Sequence, residues 1–484
     1  MLIPGSWPRR GLLAVTAVAH LTLASLTLRD LLAGRHPSAL FGLLQPDMLG
    51  TVFLMLAAVL FTAASFYAVG YLRDEDKKHV KRDIQKGQLF THAPETRFLS
   101  CLCFFVAAMT LVTTTANLGA LWVGIELTTL ASAPLIYFHR HQSSMEATWK
   151  YLMICSVGIA LALLGNILMS VAFHNPAAPA VEGMDQLSAF MASARGIEGT
   201  DRVLWLKAAF IFLLVGYGTK MGLAPLHTWL PDAHSQAPSM VSGLLSGALL
   251  NCALLGILRG HQIMQAAGLG EFSGKLLVFF GLLSMITAAV FIVGQGHYKR
   301  LLAYSSVEHM GILALAFGVG GSALFGGMLH AVCHSLTKCM LFLVAGNILT
   351  RYHSLSSYDV RGLRQDIPLS GALWTAGFLA IVGSPPFGLF VSEFIILKGL
   401  FAHAGLAVAL VYLAGLAVIF IGMSIPVLRM AQGTPPHDVP RDYHESLFSV
   451  LPPAALCLMA LGLGLAVPDW LVETLNRAAA LLGA

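Results

Sequence analysis

Ionisable side chains stand inside apolar runs at a handful of places in this sequence, and each is of a type that binds and releases protons. Lys220 lies in LLVGYGTKMGLAPLHTWLPDAH, Glu126 in LWVGIELTTLASAP, Glu308 and His309 in YSSVEHMGI, and Glu393 in GSPPFGLFVSEF. His330, His334 and Lys338 recur at every fourth position of LHAVCHSLTKCMLF, which gathers them on one helix face. A charge at the centre of a membrane helix costs on the order of 2.5–3.5 kcal/mol, so it persists where a partner or a wet cavity receives it. Burial favours the neutral forms of Lys220 and Glu126, whereas proximity favours the charged ones. Drawing that pair together or apart therefore changes how readily the lysine gives up a proton. Histidine titrates near neutrality, and with intervening water the stripe of His330, His334 and Lys338 forms a proton path.

Other ionisable residues have plainer readings beside the functional one. Lys150 opens a helix in ATWKYLMICSVG and is placed with the relay, a juxtamembrane contact being the alternative. Lys207 and Lys398 read as lysines snorkelling toward an interface. His227 and His234, in HTWLPDAHSQAP, are expected to form the cytoplasmic inlet, with Asp232 between them either capping or ending the segment. HAVCH is not the HExxH metal pattern and has no carboxylate beside it, so no metal is expected. Seven cysteines fall in apolar spans without a CxxC pair, and no GxGxxG is present, which excludes iron-sulfur and dinucleotide sites in this chain.

The elements that position these residues are membrane helices. At 484 residues, 57% hydrophobic and 11% charged, the chain is an all-α polytopic membrane protein, and no basic patch supports nucleic-acid binding. About thirteen helices are predicted, near 11–28, 48–72, 97–116, 117–139, 149–173, 204–230, 239–264, 275–296, 302–318, 322–349, 369–400, 405–429 and 447–467. The first has a basic start but no small-residue cleavage site after it, and is expected to be retained. Lys and Arg are unevenly shared between alternate connections, RDEDKKHVKRDIQKGQ being the richest, which points to a cytoplasmic N-terminus.

Helices six and eleven are interrupted, at GLAPLHTW and GSPPFGLF. Aligning the chain on these breaks yields two units of five helices, 97–265 and 275–430, each broken in its fourth helix. They are preceded by 1–96, with two helices and the basic loop, and followed by 431–484, with one helix and a tail. Five crossings is an odd number, so the second unit is inverted relative to the first, and broken helices in such repeats line an ion path near the midplane. Backbone freed at that depth needs polar partners.

At these residues the chain resembles the proton-conducting, antiporter-like subunits of respiratory complex I, Mrp cation/proton antiporters and group 4 hydrogenases. The segments that carry the resemblance are KMGLAPLHTWLPDAHSQAPSMVSGLLSG, YSSVEHMGI, HSLTKCMLFLVAGNI and GSPPFGLFVSEF, within about residues 97–429. The stretch IELTTLASAPLIYFHRHQSSMEATWKYLMICSVGIALALLGN is most similar to the F-type subunit of hydrogenase-4. The resemblance implies about 14 helices, a Glu126–Lys220 pair, an axis through His309, His334 and Lys338, and an exit at Glu393. Where many relatives carry a lysine, SGALLNCALLG has Asn251, which orients water but carries no charge. The same resemblance implies a prokaryotic inner membrane, other membrane subunits, and a separate peripheral arm bearing iron-sulfur, nickel-iron or flavin centres. It implies no cofactor in this chain. Alternatives are a cation/proton antiporter or bicarbonate-uptake subunit without redox coupling, and a membrane scaffold, although a scaffold has no need of buried charges.

Overall fold

The computed structural model describes residues 5–75, 81–82, 89–90, 93–173, 185–197, 199–435 and 444–483. Most of the basic loop after the second helix, part of the Pro-rich loop beyond residue 173 and part of the loop before Ser446 lie outside the described residues.

Two helices, α1 (Ser6–Leu32) and α2 (Met48–Glu75), precede the first unit. A two-residue antiparallel ribbon, β1 (Lys81–Arg82) with β2 (Leu89–Phe90), follows them. The first unit contains α3 (Glu95–Thr114), α4 (Leu118–Ile136), α5 (Gln142–Phe173), a short α6 (Gln186–Ala194), α7 (Arg202–Met221) and α8 (Trp229–Gln236). It closes with α9 (Ser239–Leu244) and α10 (Leu250–Ala266), joined through a π-helical turn at Leu245–Leu249 into one continuous span. The second unit contains α11 (Gly270–Ile292), α12 (Tyr298–Val319), α13 (Ser322–Tyr352), a four-residue α14 (Leu363–Asp366), α15 (Pro368–Ile381), α16 (Gly388–Gly399) and α17 (Leu406–Ala431). After it come α18 (Leu447–Leu465) and α19 (Asp469–Ala480).

Among the described residues twelve helices are long and apolar enough to span a bilayer. Helices α15 and α16, too short singly, together form the broken eleventh crossing of the sequence analysis and bring the total to thirteen. Two boundaries differ from expectation. Helix α5 begins at Gln142, not near 149, because its first turns are polar (QSSMEATWK) and invisible to hydropathy. Lys150 therefore does not open the helix. The C-terminal tail contains α19, whose Leu471, Leu475, Ala478 and Ala479 are buried while Trp470 is exposed. It packs on α2 and α13, and Arg477 donates to Leu31 O and Leu32 O at the end of α1. A cation there satisfies carbonyls that a helix end leaves open.

The outer face is what a bilayer dictates: Val15, Leu23, Phe104, Met153, Val290 and Leu451 are exposed. Polarity is turned inward. Helix α13 lies at the centre, against α2, α9, α12, α15, α16 and α18, and the most apolar window of it is 94% buried. Bidentate ion pairs Arg10–Glu95, Arg259–Asp47 and Arg351–Asp366 tie helix ends to one another.

Both breaks recover the hydrogen bonds they release. After Lys220, α7 ends on Gly222 in the left-handed region (φ 84°), which glycine adopts without a Cβ clash. The Thr219 carbonyl then accepts from Trp229 Nε1 at 2.8 Å, and the Ala224 N–H donates to Ser284 Oγ of α11 at 2.9 Å. At the second break Gly383 has φ 64°, the Ser384 N–H returns to Leu379 O at 2.9 Å, and the Ile381 carbonyl accepts from His309 Nε2 at 3.1 Å.

Candidate functional site: a buried polar track

Lys220, in the last turn of α7, has no exposed surface. Its Nζ donates to Thr129 Oγ1 of α4 at 2.8 Å and to the Tyr151 hydroxyl of α5 at 2.5 Å, and lies 4.5 Å from the Tyr151 ring centre. The Tyr151 hydroxyl shares a further hydrogen bond with Ser132 Oγ at 2.6 Å. Hydroxyls accept from an ammonium and also donate to a free amine, so the cradle serves both states of the lysine. Glu126 is half-buried on α4, one turn before Thr129, and within electrostatic reach of Lys220. Its Oε1 accepts from Ser156 Oγ at 3.5 Å. The expected Glu126–Lys220 contact is therefore indirect, because Thr129 on the same helix face takes the ammonium.

Asn251 follows the π-helical turn and carries polarity into the second unit. Its Nδ2 donates to Gly247 O and to Ser335 Oγ of α13, both at 2.8 Å. Ser246 of the π turn meets Ser306 of α12 at 2.9 Å. Beside these contacts Lys338, unexposed at the middle of α13, donates to Leu302 O at 2.6 Å and Ser305 Oγ at 2.8 Å. Glu308 is buried within electrostatic reach of Lys338, and its Oε2 bonds to no protein group.

One turn back along α13 from Lys338, His334 stacks obliquely on His309, ring centres 5.0 Å apart, and neither of its nitrogens bonds to a protein group. His309 Nδ1 meets His330 Nε2 at 2.9 Å, and His330 Nδ1 meets Ser392 Oγ of α16 at 3.0 Å. Glu393 is the next residue. Its Oε1 is buried and unbonded, and its carboxylate lies against Gly383 so closely that a Cβ there would sit 1.9 Å from Oε2. One ring nitrogen each of His309 and His330 and one Glu393 oxygen lie within 4.8 Å of one another, the closest gathering of metal-ligand residue types among the described residues. The histidine nitrogens are engaged with each other, Ile381 and Ser392, which makes this a hydrogen-bonded wire.

The remaining candidates lie off this track or at its edge. Lys150 is about half exposed and bridges Glu146 at 2.7 Å and Asp232 at 3.1 Å. Asp232 also pairs with Arg300 of α12, so it neither merely caps α8 nor stands free: it joins the two units. These residues, with Ser235, Gln236 and His297, line an open polar cavity of about 300 Å³. His234 is fully buried beneath it, stacked on Phe342 at 5.1 Å, between the charges of Lys299 and Lys338. His227 packs separately against Phe291 and Tyr304. Lys207 lies over the Phe272 ring at 5.2 Å and Lys398 is exposed.

Sequence reasoning missed the hydroxyls: Thr129, Ser132, Tyr151, Ser305, Ser335 and Ser392. Hydroxyls bonding back to the preceding helical turn are ordinary in apolar helices, so their presence alone carries no signal. Lys299, buried with its Nζ on Ala237 O at 2.7 Å, was also missed, since HYKRLL reads as a basic helix start.

With this geometry in view, residues 115–420 match the family described as NADH:quinone oxidoreductase/Mrp antiporter, transmembrane. The chain is 36% identical over 439 residues to a hydrogenase-4 component F homolog of Methylacidiphilum infernorum, covering 90% of this chain and 88% of that one. It is 27% identical over 436 residues to hydrogenase-4 component B of Escherichia coli, covering 86% of this chain and 60% of the longer relative. Among solved structures, a chain of an archaeal respiratory membrane complex, the membrane-bound sulfane sulfur reductase, superposes with a TM-score of 0.82 at 18% identity, covering 98% of this chain and 92% of that one.

Proposed function

We infer the working of this chain from the family to which it belongs, the NADH:quinone oxidoreductase/Mrp antiporter membrane subunits: it is a proton-translocating membrane subunit of a hydrogenase-4-like or complex I-like oxidoreductase assembly. The observation that carries the reading is the file of buried ionisable and hydroxyl groups from Lys220 to Glu393. In this reading Glu126 and Lys220 load the proton, and Asn251 and Ser335 hold the water that passes it to Lys338. From Lys338 it moves through His334, His309 and His330, and Glu393 releases it. The cavity at Lys150, Asp232 and Arg300 is the inlet, with His234 beneath it and His227 at its margin. Charges on neighbouring sites set the order: a cation at Lys220 opposes one at Lys338, and moving Glu126 relative to Lys220 relieves or restores that opposition.

The partners we propose are other membrane subunits and a peripheral redox arm with iron-sulfur and nickel-iron centres, which supplies the driving reaction. The setting is a prokaryotic inner membrane with the N-terminus on the cytoplasmic side. Lys220→Ala in the assembled complex, reconstituted in vesicles with an entrapped pH dye, is expected to abolish proton uptake while the subunits still copurify. Uptake at the unmutated rate would remove Lys220 from the path. Copurification with further antiporter subunits and no redox proteins would replace the redox-driven assembly with a cation/proton antiporter.

A further inference from the structure

The hydrogen bonds around His309 and His330 have a direction. The Ile381 carbonyl only accepts, so the contact at 3.1 Å requires His309 Nε2 to carry a hydrogen. In the neutral imidazole Nδ1 is then the bare nitrogen, and it accepts from His330 Nε2–H at 2.9 Å. That in turn leaves His330 Nδ1 bare, accepting from the Ser392 hydroxyl at 3.0 Å. Every hydrogen in this chain points from Ser392 toward Ile381.

Ser392 has a second acceptor. Its Oγ also lies 2.8 Å from Leu389 O, and one hydroxyl hydrogen serves one of the two at a time. When it turns to Leu389, its oxygen faces His330 Nδ1 with a lone pair, and that nitrogen is able to hold a hydrogen. All four contacts are then satisfied with one more proton than before: His309 Nε2–H to Ile381 O, one hydrogen shared along the His309–His330 contact, His330 Nδ1–H to Ser392 Oγ, and Ser392 Oγ–H to Leu389 O. The charge moves between the rings by a single hop across 2.9 Å with no change of heavy-atom position. A second extra proton has no such arrangement, because it would set two N–H groups against each other across that gap.

We propose that the Ser392 hydroxyl is a two-position switch that lets the His309–His330 pair take up one proton at a time on its way to Glu393. The inference rests on the relay reading of the preceding subsection and adds to it a gate on how many protons the pair holds. Both positions of the hydroxyl are built from this chain's own atoms. Glu393, whose Oε1 is unbonded and whose carboxylate lies within 4.8 Å of both rings, is the group that collects the proton when Ser392 turns back.

The test compares Ser392→Ala, Ser392→Thr and His309→Gln in the assembled complex, with proton uptake into vesicles and the ¹⁵N resonances of labelled histidine as readouts. Ser392→Ala leaves the His330 Nδ1–H without an acceptor, and uptake is expected to fall roughly tenfold, the scale of one buried donor unsatisfied. Ser392→Thr keeps the hydroxyl and is expected to stay near the unmutated rate. In the unmutated complex at rest the resonances should show His309 protonated at Nε2 and bare at Nδ1. A Ser392→Ala complex that takes up protons at the unmutated rate, beside an inactive His309→Gln, would overturn the switch and leave the relay standing. Unmutated rates in both would overturn the relay and the switch together.

Discussion

The two buried lysines occupy corresponding parts of the two units but are held differently. Lys220 sits at the C-terminal end of α7, where the helix dipole favours a cation, and both of its partners are hydroxyls. Lys338 sits mid-helix in α13, pinned at 2.6 Å to the Leu302 carbonyl and by one hydroxyl, with Glu308 fully enclosed nearby. The acid near Lys220, by contrast, is half-buried toward the outer side. Hydroxyls yield to either protonation state, and a broken helix leaves its last turn free to shift; a carbonyl and an unbroken helix do neither. The first unit is thus suited to receiving a proton from outside and the second to passing it along a fixed line.

The breaks offer the most severe way to separate the units. Gly222 and Gly383 both have positive φ, so alanine at either costs about 1–2 kcal/mol of backbone strain. At Gly222 the new Cβ meets the end of the Leu230 side chain at 2.5 Å, which is free to swing away. At Gly383 it strikes the Glu393 carboxylate. Gly383→Ala is expected to cut proton uptake at least roughly tenfold by displacing the release group. Gly222→Ala should lower thermal stability by a similar amount and leave uptake within about twofold. Equal uptake in the two variants would mean that the position of Glu393 at the break does not matter.

This contrast was partly legible in the sequence. Lys220, Lys338 and Glu393 stand out because a charge in a membrane helix is costly, and both breaks announce themselves through glycine and proline beside a charge. What the sequence hides is the lateral partner. Thr129 between Glu126 and Lys220, and Ser392 beside His330, look like any hydroxyl in an apolar helix until the neighbouring helix is in place. Lys150 was misjudged for a related reason: the polar first turns of α5 disguise where the helix starts, and only the fold brings Asp232 and Arg300 to the same cavity. The amphipathic α19 is likewise too charged to register as a membrane element.

A milder probe acts on the lysine cradles themselves. Tyr151→Phe keeps the ring over Lys220 but removes one of its two hydroxyl partners and the link to Ser132, so uptake should fall roughly fivefold to tenfold. Ser305→Ala leaves Lys338 on the Leu302 carbonyl, and a loss of about twofold is expected. Initial rates of dye quenching in vesicles measure both. If Ser305→Ala proves the more damaging, the carbonyl is not what holds Lys338 in place, and the distinction between a yielding and a fixed site fails.

The smallest expected effect lies at the matching helix starts of α4 and α12. Asn117 caps α4, its side chain accepting from the Ala120 N–H at 2.8 Å; His297 caps α12 in the same way, Nδ1 accepting from the Arg300 N–H at 3.3 Å. The asparagine does not titrate. Burial, helped by the charges of Lys299 and Arg300, pushes His297 down to about 4 from its ordinary 6.5. Because the folded value lies below the unfolded one, the cap's contribution is complete above pH 6.5 and is lost as pH falls through about 4. Protonation fills the nitrogen that accepts from Arg300, and a cap is worth ~1 kcal/mol. Amide exchange, corrected for its intrinsic pH dependence, should therefore show protection at Arg300 dropping roughly fivefold between pH 7 and 4 while Ala120 is unchanged. His297→Asn should make the second unit behave like the first, and a pH-dependent loss that survives this substitution would assign the effect to Asp232 or Arg300 instead.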